Sequence, residues 1–239
     1  RPQFDISKEI LSAMGLGVLS LTGYEADDIL GTLSSQCAQR DIAALLLTGD
    51  RDALQLVSDG NTLLLTRKGI SEIEECTPAR VQELFGVRPD QITDLKGLMG
   101  DSSDNIPGIP GVGEKTAVKL LTSYDTLENV LAHADEIKGK LGEKVRGNAE
   151  KGRFSKHLAT IRRDIPLQVH YDACETQHLA DGLPVLYKYG LNAIAQRIEK
   201  EQSGAPAQPA IETTVFSDRE SLDAQAAAEM AQAGEVAVY

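Results

Sequence analysis

The segment Asp41-Ile-Ala-Ala-Leu-Leu-Leu47 is an apolar run that stops abruptly at Thr48-Gly-Asp50. A short run of this kind, bounded by turn residues, is typical of a β-strand that is buried on both faces. Ahead of it, four residues follow helical spacing: Ile29, Leu30, Leu33 and Cys37. After it, residues 62–66 form a second strand candidate. The first half of the chain is therefore predicted to be a parallel sheet covered by helices.

Helical signals dominate the rest of the chain. Thr77-Pro78 supplies an N-cap and a first-turn proline for a helix that ends near Gly86. Residues 90–100 predict another helix, whose apolar side holds Ile92, Leu95, Leu98 and Met99. A loop over residues 101–113 then leads to a helix over residues 114–121. The predicted fold class is α/β, a parallel sheet flanked by helices, followed by a helical subdomain.

Composition marks a boundary near residue 200. Residues 201–210 lack any large apolar residue and contain two prolines, which indicates a linker. Residues 213–239 then show strand, Ala-rich helix and strand patterns, in a segment too short to bury a core of its own. The predicted domains are 1–100, the α/β core; 101–200, the helical subdomain; 201–212, the linker; and 213–239, the start of a further domain.

The net charge of −12 at pH 7 argues at first against a nucleic-acid partner, but its distribution reverses that impression. Residues 20–60 carry seven acids against two Arg, whereas residues 105–163 carry eleven Lys and Arg against seven acids. This asymmetry indicates divalent cations at one half and a polyanion at the other. The alternative is an ordinary acidic surface. Three dispersed cysteines indicate a reducing, cytoplasmic compartment, and no apolar run approaches the roughly 20 residues of a membrane span.

Seven acids lie in three short motifs, each beside a predicted buried element: Glu25, Asp27, Asp28, Asp50, Asp52, Asp101 and Asp104. Converging carboxylates repel one another unless cations neutralise them, and hard oxygen ligands favour Mg²⁺ or Mn²⁺ over zinc. Two such ions about 4 Å apart would activate a water for phosphodiester hydrolysis. The alternative is local, with Asp28 as a helix cap, Asp50 as a turn residue and the last two acids in a solvated loop.

The glycine-rich segment over residues 108–116, Gly-Ile-Pro-Gly-Val-Gly-Glu-Lys-Thr, resembles at first the phosphate-binding loop of NTPases. That comparison fails because Glu114 separates the last glycine from Lys115 and no strand precedes the loop. A hairpin between two helices fits better, since glycines allow close approach and helix-start amides can face a DNA phosphate. Lys115 and Lys119 extend that surface, so binding is expected without base specificity. An ordinary helix–helix turn is the alternative.

The three motifs together resemble the 5′-nuclease domains of the bacterial DNA polymerase I family, within the flap-endonuclease (PIN-like) group. They are Gly23-Tyr-Glu-Ala-Asp-Asp28, Thr48-Gly-Asp-Arg-Asp52 and Gly100-Asp-Ser-Ser-Asp-Asn-Ile-Pro-Gly-Ile-Pro-Gly-Val-Gly-Glu-Lys-Thr-Ala117. The resemblance covers about residues 1–200. It implies metal-dependent cleavage of DNA at 5′ flaps, nicks or ends in replication and repair. It also implies a bacterial protein with covalently linked polymerase domains.

The resemblance assigns roles residue by residue. All seven acids fall at the family's metal-site positions, and four of them are expected to be catalytic: Asp28, Asp50, Asp52 and Asp101. The helix-hairpin-helix element for DNA binding comprises Gly108, Gly111, Val112, Gly113, Lys115, Thr116 and Lys119. The family's hairpin potassium ion would take backbone carbonyls of Ile109 and Val112. Residues 235–239 resemble the first strand of a 3′-5′ exonuclease-like domain.

The chain departs from the family pattern at its start. The family's domain begins upstream with a strand that carries another metal-binding Asp, followed by a helical arch whose Lys and Arg engage the 5′ strand. Arg1-Pro-Gln-Phe4 corresponds to the segment just after that arch. Two functions from different classes therefore stay open: a nuclease, or a DNA-binding fragment that is inactive as given. A stand-alone exonuclease is disfavoured by the predicted linker and further domain.

Overall fold

The computed structural model describes residues 2–68, 72–169 and 176–202. The chain forms two compact units, of which the larger spans Gly17–Cys174 and the smaller combines Arg1–Leu16 with Glu175–Tyr239. In chain order the helices are α1 (Pro2–Ala13), α2 (Ala26–Ala38), α3 (Pro78–Phe85), α4 (Ile92–Met99), α5 (Glu114–Tyr124), α6 (Leu127–Ala132), α7 (Lys140–Gly147), α8 (Ala149–Ala159), α9 (Leu183–Lys188) and α10 (Asn192–Gln202). Short 3₁₀ helices span Arg51–Leu56, Pro89–Gln91 and Thr176–Gly182.

A three-stranded sheet forms the α/β part of the larger unit. Its strands are β1 (Ala44–Thr48), β2 (Asn61–Lys68) and β3 (Glu72–Cys76), in that spatial order. β1 and β2 run parallel, as the sequence predicts, whereas β3 pairs antiparallel to β2. The sheet formed by the described residues is therefore mixed. β3 is not predicted from the sequence because glutamate, which disfavours strands, fills three of its five positions.

β1 is buried on one face only. Leu46 is 6% exposed and aligns with Leu63 of β2, whereas Leu45 is 71% exposed and Leu47 is 57% exposed. The prediction of a strand buried on both faces is therefore wrong for the described part of the chain. Successive side chains of a strand point to opposite faces, so an apolar run does not by itself show that both faces are covered.

The predicted helices around the sheet are confirmed. α3 begins where Thr77 accepts the N–H of Arg80 at its Oγ1, at 3.3 Å, and it ends at Gly86 with φ 71°. Glycine adopts this left-handed conformation without the steric cost that a Cβ imposes. α4 also ends at a glycine with positive φ, Gly100, but its φ of 77° and ψ of −178° lie outside the left-handed helical region. Both ends therefore follow the cap and glycine signals in the sequence.

α4 lies close against α8 because both helices carry a glycine at the contact. A Cβ added at Gly97 of α4 would lie 3.1 Å from the carbonyl oxygen of Gly152 and 3.0 Å from the Cβ of Lys156. The opposite, apolar side of α4 is buried as predicted, through Ile92, Leu95 and Leu98. α4 therefore packs against α8 on one side and against the hydrophobic core on the other, and this packing fixes the position of the loop that follows α4.

A buried carboxylate joins α4 to two neighbouring helices. Asp94, whose side chain is 5% exposed, accepts the backbone N–H of Leu127 at 2.9 Å. It also accepts a hydrogen bond from Nζ of Lys156 at 2.6 Å. Because an unpaired buried charge is costly, these partners are required to keep Asp94 inside the protein.

The smaller unit packs the first helix of the chain with the last two. Leu186, Ala195 and Ile198 form its buried core. Glu9 of α1 binds Nζ of Lys188 at 2.7 Å and the hydroxyl of Tyr189 at 2.6 Å. Residues 201–202 of the predicted linker, 201–212, belong to α10, and the rest of that linker and the predicted further domain lie outside the described residues. None of the described helices combines the length and apolar character that crossing a membrane requires.

We expect Asp94→Ala to lower the free energy of unfolding by roughly 2–3 kcal/mol, because it leaves the Leu127 N–H and the Lys156 ammonium without their partner. Urea denaturation of the 239-residue chain measures this. Glu150→Ala is the matched control, since it breaks an ion pair with Arg153 at an 89% exposed side chain. That change is expected to be below about 1 kcal/mol. Equal effects of the two substitutions would contradict the structural role of Asp94.

Candidate functional site

Three of the predicted acids meet in the larger unit. Asp52, Asp101 and Asp104 each offer a carboxylate oxygen, and these oxygens lie within 4.8 Å of one another. Asp52 belongs to the 3₁₀ helix after β1, and the other two lie in the loop after α4. Their all-oxygen donor set fits a hard divalent cation. We call this set the acid cluster.

Local hydrogen bonds place Asp52. Asp50 caps the 3₁₀ helix after β1, and its Oδ1 accepts the N–H of Asp52 at 2.9 Å. Buried Leu54 and Leu56 anchor this short helix in the core. The buried side chain of Gln55 donates a hydrogen bond to the last carbonyl of α8 at 2.9 Å and accepts a backbone N–H just beyond that helix at 3.0 Å. The Asp52 backbone is therefore tied both to the sheet and to the end of α8.

The loop after α4 places Asp101. Asp101 and Ile106 exchange both backbone hydrogen bonds, at 2.9 and 2.8 Å, and close the loop into a tight turn. Oδ1 of Asp101 also accepts the N–H of Ser103 at 2.9 Å. One oxygen of the Asp101 carboxylate thus accepts a hydrogen bond within the loop, while Asp104 of the same loop is exposed.

Asp27 lies in the electrostatic field of the acid cluster. Burial raises its pKa, and repulsion from Asp50 and Asp52 raises it further, followed by smaller contributions from Glu25 and Asp28. The structure therefore brings the motif of α2 close to the motif after β1. Acids that repel one another in this way gain most from a bound cation.

Asp28 and Glu25 have structural hydrogen bonds at the start of α2. Oδ2 of Asp28 accepts the N–H of Glu25 at 3.3 Å, and Oδ1 accepts the N–H of Arg162 at 2.9 Å. The Arg162 guanidinium lies over the ring of Tyr24, 4.9 Å from its centroid. The helix-cap alternative for Asp28 is thus observed, and neither acid belongs to the three-residue acid cluster.

Lys96 is the main site residue that the sequence reasoning missed. Its side chain is 8% exposed, and Nζ lies 2.7 Å from Oδ2 of Asp101 and donates a hydrogen bond to Oδ1 of Asp52. The sequence holds one signal for it, since Lys96 interrupts the apolar residues of α4. Buried lysines require a charged or polar partner, so this position pointed to nearby carboxylates.

The three charged groups shift one another's pKa values. Burial raises the pKa of Asp52 in spite of the lowering effect of Lys96. Burial alone would also raise that of Asp101, but hydrogen bonds from Lys96 and Ser103 outweigh it and lower the pKa to about 2. Burial opposes the ammonium form of Lys96, yet its bonds to Asp101 and Asp52 raise the pKa above its usual value.

An open cavity of about 860 Å³ connects the acid cluster with the hairpin. Its lining includes Asp52, Lys96 and Asp101 as well as Gly113 and Glu114. The acid cluster and the start of α5 therefore border the same cavity.

The predicted hairpin forms between α4 and α5. Gly108 adopts φ 60° and donates its N–H to Oγ of Ser155 at 3.0 Å, and an added Cβ would clash with the backbone of Gly100. The side chains of Ile109 and Val112 are buried, at 1% and 4% exposure. The hairpin is therefore anchored in the core through Gly108, Ile109 and Val112, while Gly111 and Gly113 are exposed.

The polar side of the hairpin carries more charge than the sequence motif contains. Lys115 and Lys119 of α5 are exposed, as expected, and so is Gly113 at the helix start. Lys144 of α7 was not predicted, yet its Nζ lies where a side chain at Gly111 would begin. Its contribution could not be read from the motif because it comes from a different helix.

The chain belongs to the 5′-3′ exonuclease family. Residues 1–86 match the description "5′-3′ exonuclease, N-terminal resolvase-like domain", and residues 87–181 match "5′-3′ exonuclease, C-terminal SAM fold". The predicted fold class and the predicted family are thereby confirmed. The acid cluster is compatible with the metal dependence of such nucleases.

Among curated proteins, the chain is similar to DNA polymerase I of Bacillus caldotenax, with 46% identity over 204 residues, 84% of this chain and 23% of that protein. It is also 46% identical over 175 residues to DNA polymerase I of Mycobacterium tuberculosis, covering 73% of this chain and 19% of that protein. The chain thus spans less than a quarter of the length of these relatives.

Among solved structures, the chain resembles bacteriophage T5 5′-exonuclease with bound divalent metal ions (zinc). The TM-score is 0.53 at 18% identity, over 76% of this chain and 61% of that one. A complex of the T5 flap endonuclease with DNA and metal ions gives the same TM-score and coverage. At this identity the likeness shows a shared fold.

We expect Asp52→Asn to weaken Mn²⁺ binding by at least about tenfold, because it removes one anionic oxygen of the acid cluster. Calorimetric titration of the 239-residue chain with Mn²⁺ measures the affinity. Asp59→Asn, an exposed acid outside the acid cluster, is the charge-matched control and is expected to leave the affinity within about twofold. An equal weakening in both variants would show that Mn²⁺ responds only to net charge.

Proposed function

We propose that this chain is the 5′-nuclease module of a bacterial DNA polymerase, which hydrolyses phosphodiesters at 5′ flaps, nicks or ends. The observation that carries the proposal is that the acid cluster and the start of α5 border the same cavity. A scissile phosphate can lie in such a cavity between a metal site and helix-start amides. The linked polymerase domains and the role in replication and repair are part of the same proposal.

The acid cluster is proposed to hold Mg²⁺ or Mn²⁺, with Asp27 and Asp50 next to it. Bound ions would supply an activated water and stabilise the leaving oxygen. Asp52 and Asp101 would hold the metal directly, since both residues line the cavity and offer carboxylate oxygens within 4.8 Å of each other. Asp28 would act differently, because both of its oxygens accept backbone hydrogen bonds that fix the start of α2.

DNA contacts are proposed to involve phosphates and not base edges. The exposed surface at the hairpin includes small residues and cations, and these have no side chains suited to recognising base edges. These residues are Gly111, Gly113, Lys115, Lys119 and Lys144. A potassium ion could take the carbonyls of Ile109 and Val112. The carbonyl of Ile109 already accepts the Val112 N–H at 3.0 Å, which leaves its second lone pair for a cation.

The second candidate function is DNA binding without cleavage. It is favoured by one observation: the Lys96 ammonium already pairs with two of the three cluster carboxylates and offsets part of their charge. The two functions differ in a simple measurement. A nuclease cleaves a labelled 5′ flap in Mg²⁺ or Mn²⁺ and stops in a chelator, whereas a binding module retains the flap intact under both conditions.

In the full-length protein that contains this chain, we expect Asp101→Asn or Asp50→Asn to lower single-turnover flap cleavage by at least about 100-fold. Flap affinity should stay within about threefold, because these acids hold metal charge and do not contact DNA. Gel-shift titration and rapid-quench cleavage provide the two measurements. Asp59→Asn is the control and should cleave normally. Unchanged cleavage in Asp101→Asn would refute the metal role of this loop.

We expect Lys115→Ala with Lys119→Ala to weaken binding to all duplex sequences about equally. The slope of log affinity against log salt should fall by roughly 0.9 for each phosphate that a lysine no longer neutralises. Adding Lys144→Ala should lower the slope once more by about the same amount. Arg197→Ala, on α10 of the smaller unit, is the control and should not change it. Weakening confined to particular sequences would contradict backbone recognition.

A further inference from the structure

A lysine ammonium lies inside the acid cluster. Nζ of Lys96 is 2.7 Å from Asp101 and also donates to Asp52, so one cation is shared by two carboxylates on different segments of the chain. The oxygens that bind it belong to the same groups that form the acid cluster. Lys96 therefore bonds to carboxylates that a divalent cation would also use.

The position of Lys96 is fixed by its helix. α4 is buried through Leu95 and Leu98 on either side of Lys96 in sequence, and the Lys96 side chain has almost no exposure. In contrast, Lys115 and Lys119 of α5 and Lys144 of α7 are solvent-exposed. Because Lys96 is desolvated, it is an integral charge of the site and is not a mobile surface group.

We propose that Lys96 is an internal counter-cation that holds Asp52 and Asp101 together without metal and competes with a divalent cation for them. The inference rests on the proposed metal site and adds a positioning residue to it. Binding of a divalent cation at these two acids then requires Lys96 to yield at least one of its hydrogen bonds. Ion binding at this subsite is weaker than the carboxylates alone would allow.

The competing explanation is a purely structural ion pair. Both explanations predict that Lys96→Met destabilises the metal-free chain, because Asp52 and Asp101 would repel each other without the ammonium. They differ in the effect on metal affinity. Competition predicts tighter binding after the charge is removed, whereas a structural pair predicts unchanged or weaker binding.

The test is Mn²⁺ titration of the 239-residue chain by calorimetry, with thermal denaturation in the presence and absence of Mn²⁺. For Lys96→Met we expect affinity at least about tenfold higher than wild type, since a unit charge close to the bound ion is removed. Its metal-free melting temperature should fall and should recover in Mn²⁺. Lys96→Arg, which keeps the charge, should bind Mn²⁺ within about threefold of wild type.

Lys156→Met is the control, because Lys156 of α8 forms an ion pair with buried Asp94 of α4. It should lower the melting temperature with and without Mn²⁺ and leave Mn²⁺ affinity within about twofold, since Asp94 lies outside the acid cluster. Equal or weaker Mn²⁺ binding by Lys96→Met overturns the competition. A chain that binds no Mn²⁺ in any form overturns both this inference and the proposed metal site.

Discussion

The close contact of α4 with α8 is the constraint on which the site depends. It is possible only because Gly97 faces Gly152, and Asp94 strengthens it through Lys156. α4 then leads directly into the loop of Asp101, and the end of α8 is bonded to the 3₁₀ helix that carries Asp52. Two acids that are distant in sequence thus meet because two helices can approach without side chains between them.

The carboxylates brought together in this way repel one another, and few neighbouring cations offset that repulsion. Asp27 shows the repulsion through its raised pKa, whereas Asp101 is held ionised by Lys96 and by its own loop. Most of the basic residues in positions 105–163 lie on other helices, α5, α7 and α8.

Much of this could be predicted from the sequence because the signals are local. Each of these signals predicts the structure of its own segment: acids beside a strand end, a capping residue at the start of a helix with glycine at its end, and a hairpin rich in glycine and proline. The failures involve partners that are distant in sequence. From the sequence alone, Lys96 is a residue of a core helix and Lys144 a surface residue of α7. Only the structure shows that Lys96 contacts Asp52 and Asp101. Burial of Leu45 likewise depends on which elements cover β1, and the sequence of β1 itself does not show this.

The exposed side of β1 affects how copies of the chain behave in solution. Among the described residues, Leu45 and Leu47 are exposed on the same face of β1. An exposed apolar surface of this kind favours association between molecules. The net charge of −12 opposes that encounter through long-range repulsion. Colloidal stability therefore rests on charge that salt screens, and concentrated samples are best kept at low ionic strength.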